Sequence, residues 1–397
     1  MLRVAIVGAG LGGLAAALFL RAAGVEATVF EQTAELREAG AGIVVPPNMV
    51  RLLRRLGLDG KLADFAVRLE AAWEFRRWQD GRVLFSQPMG ETCKNLYGDY
   101  CYVAHRGDLL ALLRDALPGA CIRLDHRCIS IRAESEDVQL VFAVRTQHES
   151  KVTVDAVVGA DGIHSFVRQT IAPEADKRFS GLCAFRCLVP ASAAPEMARR
   201  PVQTIWLGPG RHFVHYPVSR GELINIVAIV PAREWRTESW TAEGQISDLA
   251  DEFRSWDERL RRLIASATST KRWALYDRAP LSSWTQGRIA LLGDAAHAML
   301  PFFAQGAAQA TEDAFILAEC LSGADRNSVT SALRRYEELR LQRANHVLLM
   351  SRGRELQNHL PDGPEQRQRD AEFAQGDPLR QSAWLYGENP QSSGLPC

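Results

Sequence analysis

A glycine-rich turn near the N-terminus constrains the fold of this chain more than any other feature. Gly8, Gly10 and Gly13 have the spacing G-x-G-x-x-G and lie between the apolar run Val4–Val7 and the helix-like segment Leu14–Ala23. A short apolar run that ends in glycines is typical of a buried parallel strand. The segment therefore predicts the strand–turn–helix start of a βαβ unit, an arrangement that binds dinucleotides in α/β folds.

The turn residues Gly8, Gly10, Leu11, Gly12 and Gly13 form the predicted phosphate site. In such a turn the first glycine permits the tight bend, the second lets the backbone approach a pyrophosphate, and the third lets helix and strand pack closely. The helix N-terminus adds free N–H groups and a partial positive charge, so the turn is suited to an anionic ligand.

Three acidic strand ends indicate which nucleotide is bound. The second strand, Ala27–Phe30, ends at Glu31, whose carboxylate would accept hydrogen bonds from ribose hydroxyls and repel a 2′-phosphate, so FAD or NAD is favoured over NADP. Asp161–Gly162 and Gly293–Asp294 each follow a later apolar run. Acids at strand C-termini lie in the ligand crevice of an α/β fold. A flavin with its long ribityl chain needs such acids and an NAD site does not, so the chain is predicted to bind FAD.

Gly8–Gly13, Asp161–Gly162 and Gly293–Asp294 together resemble the three fingerprints of the single-component FAD-dependent aromatic hydroxylases. Within this family the chain is most similar to salicylate hydroxylase and 6-hydroxynicotinate 3-monooxygenase, over roughly residues 1–350. Supporting stretches are Gly40–Ile43 with Pro47–Asn48, His105–Leu109 and Pro301–Ala307.

The resemblance implies roles for four single residues. Glu31 would hold the adenosine ribose, Arg106 would lie near the pyrophosphate, and Asp294 would bind the ribityl hydroxyls. Asp161 would lie between the FAD pyrophosphate and a transiently bound NADH or NADPH, for which the chain has no second G-x-G-x-x-G. In the implied reaction the nicotinamide nucleotide reduces FAD, O2 adds at flavin C4a, and the resulting hydroperoxide hydroxylates a phenolic or aromatic-acid substrate.

The segment after Pro301 supports a flavin independently of the family. The chain turns through Gly306 into a helix predicted over Ala307–Leu321. Reduced flavin carries negative charge at N1 and C2=O, and a helix N-terminus pointing at that edge would stabilise it. Pro301, Gly306 and Ala307 are therefore predicted cofactor contacts.

One strand, Arg211–Pro217, carries the candidate catalytic residues. Its alternation places His212 and Tyr216 on one face and His215 on the other. Resemblance to the hydroxynicotinate enzymes favours the face with His212 and Tyr216. We expect Tyr216 to contact an aromatic substrate, and either His212 or His215 to orient or deprotonate its hydroxyl.

Three further residues bear on the substrate. Arg186, on a predicted strand, either binds a substrate carboxylate or is simply solvated. Val44 and Phe302 stand where the hydroxynicotinate or 3-hydroxybenzoate enzymes carry polar residues, so the pocket is predicted to be more apolar than theirs. This favours a salicylate-like or larger phenol over 6-hydroxynicotinate.

The positions of the motifs predict an α/β chain of two lobes. The FAD-binding domain is assembled from residues 1–71, 98–178 and 271–360, in a Rossmann-like arrangement. A β-sheet substrate domain, 72–97 and 179–270, is inserted between these pieces. Val138–Val144 and Val152–Val158 are predicted strands. The tail 361–397, rich in Pro, Gly, Gln and Arg, is predicted to be loop or partly disordered, although Trp384 and Tyr386 suggest some docking.

The composition of the chain argues against several kinds of binding partner. The chain has 397 residues with 47 Lys+Arg and 47 Asp+Glu, which argues against nucleic-acid binding through bulk charge. None of its eight cysteines forms a C-x-x-C pair, so we expect reduced thiols in the cytoplasm and neither a metal site nor a disulfide framework. The uncharged run Val4–Leu20 contains the glycine turn, which argues against a membrane span or signal peptide. We expect a monomer or homodimer acting on a small aromatic substrate and O2.

Other classes fit less well. A flavin disulfide reductase needs a redox cysteine pair soon after the first βαβ unit, and the first cysteine is Cys93. The Trp-x-Trp-x-Ile-Pro stretch of flavin halogenases is absent. The alternatives that stay open are another FAD-dependent oxidoreductase, an epoxidase, an N-heteroaromatic hydroxylase of the 6-hydroxynicotinate type and a non-catalytic flavin-binding protein.

Overall fold

The computed structural model describes residues 1–36, 41–145, 147–173, 176–233 and 242–387. The described strands are β1 (Arg3–Val7), β2 (Glu26–Phe30), β3 (Gly42–Val45), β4 (Val67–Arg68), β5 (Ala71–Arg77), β6 (Val83–Pro88), β7 (Tyr102–His105), β8 (Ile122–Arg123), β9 (Arg127–Ala133), β10 (Val138–Val144), β11 (Gln147–Val154), β12 (Ala156–Gly159), β13 (Lys177–Pro190), β14 (Val202–Gly208), β15 (Arg211–Val218), β16 (Leu223–Pro231), β17 (Glu243–Gly244), β18 (Thr270–Arg278), β19 (Thr285–Gln286) and β20 (Ile289–Leu291).

The described α-helices are α1 (Leu11–Ala22), α2 (Pro47–Arg55), α3 (Asp59–Phe65), α4 (Gly90–Tyr97), α5 (Arg106–Asp115), α6 (Glu196–Arg199), α7 (Ile246–Glu252), α8 (Glu258–Ala265), α9 (Asp294–His297), α10 (Gly306–Leu321), α11 (Val329–Asn358), α12 (Pro364–Gln375), α13 (Pro378–Gln381) and α14 (Ala383–Tyr386).

A mostly parallel sheet contains the predicted βαβ unit and confirms the α/β fold class. Among the described residues its strand order is β19-β20-β12-β1-β2-β8, with β1 pairing in parallel with both β2 and β12. The turns of the three fingerprints therefore follow the neighbouring strands β1, β12 and β20 at the same edge of the sheet. The three turns are far apart in sequence. Helices α1 and α10 pack together over this sheet, where the rings of Phe19 and Phe315 meet edge to face at 5.5 Å.

A second, largely antiparallel sheet is built from two distant segments. Its order is β17-β18-β13-β16-β15-β14-β5-β6 within the described part of the chain, with strands drawn from residues 71–88 and 177–278. The neighbours of β15 are β14 and β16, both antiparallel to it. The strand that carries the candidate catalytic residues is therefore central, and its alternating side chains face opposite sides of the sheet.

The predicted strand Val152–Val158 is wrong, because the chain leaves one sheet and enters another within it. β11 pairs with β10 in a small sheet, and β12 joins the parallel sheet beside β1. Asp155 lies at the break and is fully buried. Its carboxylate accepts the backbone N–H of Arg3 at 2.8 Å and forms an ion pair with Arg326 at 2.8 Å, which holds the chain in this turn.

The prediction that the tail is loop or partly disordered is wrong for residues 361–387, which form α12, α13 and α14. Leu379, Leu385 and Tyr386 are buried in an apolar cluster that also contains Tyr216. Phe373 stacks on Phe75 with ring centroids 4.3 Å apart. The docking expected from Trp384 and Tyr386 is confirmed, since Tyr386 is buried in this cluster and Trp384 packs against it. Residues 388–397 lie outside the described ranges.

In the described ranges, no helix combines the length and apolar character needed to cross a membrane.

We expect the docked tail to contribute to global stability. Leu385 is fully buried, so Leu385→Ala should lower the free energy of unfolding by about 2–5 kcal/mol through lost apolar contact and the cavity left behind. Urea unfolding followed by circular dichroism measures this change. The exposed Leu356 on α11 is the matched control, and Leu356→Ala should stay within about 0.5 kcal/mol of wild type. Equal effects of the two substitutions would contradict docking of the tail.

Candidate functional site

A cavity lies where the parallel sheet meets the second sheet. Its volume is about 330 Å³, at the lower end of the roughly 300–1,000 Å³ typical of a pocket for one drug-sized ligand. Its glycine end is lined by Gly10, Leu11, Gly12, Arg106, Gly293, Asp294, Gly306 and Ala307. Its aromatic end is lined by Val44, Arg186, His212, Val214, Tyr216 and Phe302. Pro301 and Leu300 lie on the same wall.

Most of the residues predicted from the sequence therefore lie in one cavity, but five do not line it. Gly8 and Gly13 pack against neighbouring backbone within the turn, and Glu31 accepts a hydrogen bond from the turn. Asp161 follows the adjacent strand β12, and His215 faces the other side of the second sheet.

The glycine turn has the packing that its spacing predicts. Gly8 has a φ of +107°, and a Cβ at this position would lie 2.5 Å from the carbonyl oxygen of Ala160, on the adjacent strand end. A Cβ on Gly13 would overlap the carbonyl oxygen of Gly8. Around Gly10, by contrast, nothing lies within 4 Å of an added Cβ, so the turn leaves open space above its backbone for a ligand.

Glu31 connects the end of β2 to the glycine turn through hydrogen bonds. Its Oε2 accepts the N–H of Ala9 at 2.8 Å, and its Oε1 accepts the N–H of Thr33 at 2.9 Å. The carboxylate therefore fixes the backbone conformation around the phosphate site. Its predicted contact with a ribose stays a prediction.

Asp161 caps the turn that follows β12. Its carboxylate accepts the N–H groups of Phe166 at 2.7 Å and Val167 at 3.1 Å, and the hydroxyl of Ser165. Burial raises the pKa of this carboxyl, and those hydrogen bonds oppose the rise. Asp161 thus organises the backbone of the crevice, whereas its neighbours Ala160 and Gly162 line the cavity.

Arg168 links the second fingerprint to the third and was missed by the sequence reasoning. Its guanidinium donates to the carbonyl oxygens of Ala295 at 2.9 Å and Ala296 at 3.0 Å, directly after the Gly293–Asp294 turn. Burial lowers the pKa of Arg168 to about 10. An arginine seven residues after Asp161 was the available signal.

Asp294 presents its carboxylate to the cavity at the start of α9. Within the described part of the chain it accepts no protein hydrogen bond, so it is available to a ligand hydroxyl. Burial raises its pKa, opposed by the charges of His297 and Arg106. The first N–H groups of α10 open beside it at Gly306, where an added Cβ would lie 4.0 Å from Asp294 Oδ1.

A buried network of charged side chains stabilises the Gly293–Asp294 turn on the side away from the cavity. Asp313 Oδ2 accepts the N–H of Gly293 at 3.0 Å and lies 2.6 Å from His297 Nε2, while Oδ1 accepts from Arg340 Nε at 2.8 Å. The pKa of Asp313 is lowered to about 2, because attraction by His297 and Arg340 and their hydrogen bonds outweigh the opposing effect of burial. The carboxylate is therefore charged at every physiological pH.

Glu312 extends the network to α2 and the tail. It pairs with Arg340 at 2.7 Å and Arg343 at 2.8 Å, and accepts from Asn48 at 2.7 Å. Arg343 also donates to the carbonyl oxygen of Leu385 at 2.8 Å. The sequence did carry a signal for this network. Two adjacent acids lie in the apolar helix α10, and two arginines three residues apart lie in the following helix α11.

The donors and acceptors of the glycine end fit FAD. The open backbone above Gly10 and the N-termini of α1 and α10 suit its anionic groups, and the available carboxylate of Asp294 suits a chain of hydroxyls.

The aromatic end is mainly apolar with a few polar groups. Tyr216 is buried, and burial raises its pKa to about 12, opposed by Arg186, so it remains a phenol at neutral pH. Arg186 lies over the ring of Trp273 at 4.7 Å and lines the cavity, and its contact with a substrate carboxylate stays a prediction. Phe302 meets the ring of His212 edge to face at 5.4 Å.

Two residues at the end of α11 complete this wall and were missed by the sequence reasoning. Asn358 lines the cavity and is 3% exposed. His359 Nε2 lies 2.6 Å from His212 Nδ1. They follow a long polar helix in which no spacing distinguishes them, so the sequence carried no signal for either.

His215 is separated from the cavity by the alternation of β15. It is 1% exposed, and neither of its ring nitrogens has a hydrogen-bond partner among the described residues. Burial lowers its pKa to about 3, with further lowering from Arg76 and Arg200. Its position behind the sheet disfavours the expectation that it deprotonates a substrate.

The comparisons with known proteins agree with this geometry. Residues 1–351 match a family profile described as an FAD binding domain. The chain is 42% identical over 385 residues to a 3-amino-4-hydroxybenzoate 2-monooxygenase of Streptomyces platensis, covering 97% of this chain and 96% of that protein. It is 34% identical to the 6-hydroxynicotinate 3-monooxygenase of Pseudomonas fluorescens, covering 88% and 90%.

Among solved structures, a salicylate hydroxylase substrate complex superposes with a TM-score of 0.82 and 29% identity, covering 98% of this chain and 96% of that chain. The chain belongs to the single-component FAD-dependent aromatic hydroxylases, as its three fingerprints predicted. It is therefore a flavoprotein monooxygenase, and the reductase, halogenase and non-catalytic alternatives are set aside.

Asp313→Asn tests the network behind Gly293. The substitution keeps the shape but removes the carboxylate that faces His297 and leaves Arg340 paired with Glu312 alone. Breaking a buried ion pair costs about 3–5 kcal/mol. We expect a loss of unfolding free energy of this order in urea, and weaker FAD binding in a fluorescence-quenching titration. Glu338→Gln, which breaks an exposed ion pair with Arg335, is the control and should change neither measurement appreciably. If the two variants behave alike, the network does not support the turn.

His215 should make the protein less stable in acid. The folded-state pKa of about 3 lies below the ordinary value of 6.5, so only the unfolded chain takes up the proton as the pH falls below 6.5. Stability is thereby lost between pH 6.5 and about 3, at up to about 1.4 kcal/mol per pH unit. Urea unfolding of wild type and His215→Leu at pH 6.5 and 5 measures this, and the variant should lose less stability. Equal losses would contradict a neutral buried ring.

Proposed function

We propose that the chain hydroxylates a hydroxybenzoate, using O2 and NADH or NADPH. The observation that carries the proposal is the single cavity joining the glycine end to an aromatic end with one guanidinium and a His–Tyr pair. When bound, FAD supplies the oxygen-activating chemistry. The residues of the chain bind and orient the aromatic ring and keep water away from the reacting atoms.

Arg186 is proposed to bind the carboxylate. A guanidinium recognises a carboxylate through paired charge-assisted hydrogen bonds, and it faces an otherwise mainly apolar space. Stacking over Trp273 at 4.7 Å limits the directions in which it can point. The ring of the substrate would then lie against Val214 and Phe302, which exclude water.

His212 and Tyr216 are proposed to act on the ring hydroxyl. Both lie on the cavity face of β15, four residues apart, with Val214 between them on the same side. Burial keeps the pKa of His212 well below its usual range, so the ring is neutral and can accept a hydrogen bond. Increasing the electron density on the phenolic oxygen makes the ring carbon more nucleophilic, which is the protein's part in the hydroxylation.

The apolar residues Val44 and Phe302 support a benzoate ring rather than a heteroaromatic ring with its own polar nitrogen. The relative from Streptomyces platensis acts on 3-amino-4-hydroxybenzoate, so this compound is the first substrate to test and salicylate the second. We expect purified protein to show a flavin spectrum after FAD addition, and one of these acids to stimulate NADH or NADPH oxidation with a product heavier by one oxygen. A protein that cannot bind FAD, or that no hydroxybenzoate stimulates, would contradict the proposal.

Arg186→Met should raise KM for a hydroxybenzoate by about 10–100-fold, because hydrogen bonds to a charged group contribute about 1.5–3 kcal/mol. The preference for the acid over the corresponding benzamide should disappear, as measured by steady-state kinetics with both compounds. Arg178→Met is the matched control on the same strand, since Arg178 pairs with Asp277 away from the cavity. Loss of the preference in both variants would argue against a specific carboxylate site.

His212→Leu and His215→Leu separate the two faces of β15. A group that assists proton transfer contributes about 10²–10⁴-fold to rate, so we expect His212→Leu to lower kcat within this range while FAD still binds. His215→Leu should keep kcat within a few-fold of wild type, because its ring lies behind the sheet. Product formation measured by chromatography tests this pair, and an equal loss in both would refute the assignment by face.

A further inference from the structure

His359 lies directly behind His212, at the C-terminal end of α11. The two rings face each other with Nδ1 of His212 2.6 Å from Nε2 of His359 and centroids 4.9 Å apart. Phe302 packs edge-on against both rings, at 5.4 Å and 6.0 Å. Since Nδ1 of His212 is engaged, its Nε2 is the ring nitrogen left for a ligand in the cavity.

The position of His359 is held from two sides. Its carbonyl oxygen accepts the N–H of Gly210 at 3.0 Å, in the turn that precedes β15. Three residues later, Asp362 accepts from Arg77 at 2.6 Å and from Gln79 at 2.8 Å, on the β5–β6 hairpin. The contact between the two histidines is therefore made by two anchored elements and not by a loose side chain.

A separation of 2.6 Å between two ring nitrogens requires that one of them carries the hydrogen and the other accepts it. Burial lowers the pKa of both rings, that of His359 to about 4 with further lowering from Arg211. Both rings are therefore neutral at pH 7 and share one hydrogen bond. The tautomer of His359 fixes that of His212, because the partner of Nδ1 decides whether Nε2 is a donor or an acceptor.

We propose that His359 is a positioning residue that accepts a hydrogen bond from Nδ1–H of His212, leaving Nε2 of His212 as an acceptor for the ring hydroxyl of the substrate. The inference rests on the proposed function, since it assigns the substrate group that the His212 ring selects. It gives the cavity a preference for phenols over the same rings without a hydroxyl. His359 itself does not touch the substrate.

The experiment compares the binding of 3-amino-4-hydroxybenzoate and 3-aminobenzoate, which differ by one hydroxyl, to the FAD-loaded protein by calorimetry. We expect His359→Leu to reduce the preference for the hydroxylated acid at least tenfold, because Nδ1–H of His212 then lacks an acceptor. His359→Gln, whose amide oxygen can accept the same hydrogen bond, should keep most of the preference. His346→Leu is the matched control on the same helix, where the ring contacts Trp384 instead of the cavity wall.

Nitrogen NMR of histidine-labelled protein reads the tautomer directly and does not depend on turnover. We expect His212 to be protonated at Nδ1 in wild type and His359→Gln, and to lose this single tautomer in His359→Leu. Protonation of His212 at Nε2 in wild type would overturn the inference even if the enzyme hydroxylates hydroxybenzoates. Unchanged preference in His359→Leu would overturn it too, whereas a wild-type protein that neither binds nor hydroxylates any hydroxybenzoate would remove the proposed function and the inference together.

Discussion

The pairing of buried charges around Arg340 is the constraint on which the site depends. Its guanidinium is fully buried and pairs with both Glu312 and Asp313 of α10. Charges removed from water are tolerated only when each has partners in good geometry, so α10 and α11 have little freedom to slide past each other. Through Asp313 the same charges reach the N–H of Gly293, and through Glu312 they reach Asn48 on α2. The crevice of the parallel sheet is thereby tied to the helices behind it.

This rigidity separates two kinds of chemistry in one cavity. The glycine end offers backbone N–H groups and one available carboxylate, which suit a charged and hydroxylated cofactor. The aromatic end offers apolar side chains with Arg186, Tyr216 and the His212 ring, which suit a small aromatic acid. Phe302 lies beside both, following Pro301 on the segment that leads into α10. Under the proposed function, the closeness of the two ends would help to keep water from the reacting atoms.

The glycine turn, the acidic strand ends and the alternation of β15 could all be predicted from the sequence, because each is a local rule of spacing or period. The same rules failed where distant contacts decide the structure. Asp155 ends a strand in the middle of an apolar run because it is held by Arg3 and Arg326. The tail folds onto the protein because a few apolar residues find a buried cluster, and its average composition does not reveal them.

By itself the sequence determined the class of fold, the nucleotide it binds and the alternation of side chains along β15. These follow from backbone geometry that only glycine permits, from helix N-termini and from the two-residue period of a strand. Only the tertiary structure showed that His212 lines the cavity and His215 does not, since the period of a strand does not say which face of the sheet meets the crevice. It also decided that Asn358 and His359 belong to the site, because they come from the end of a helix that packs there for reasons remote from their own sequence.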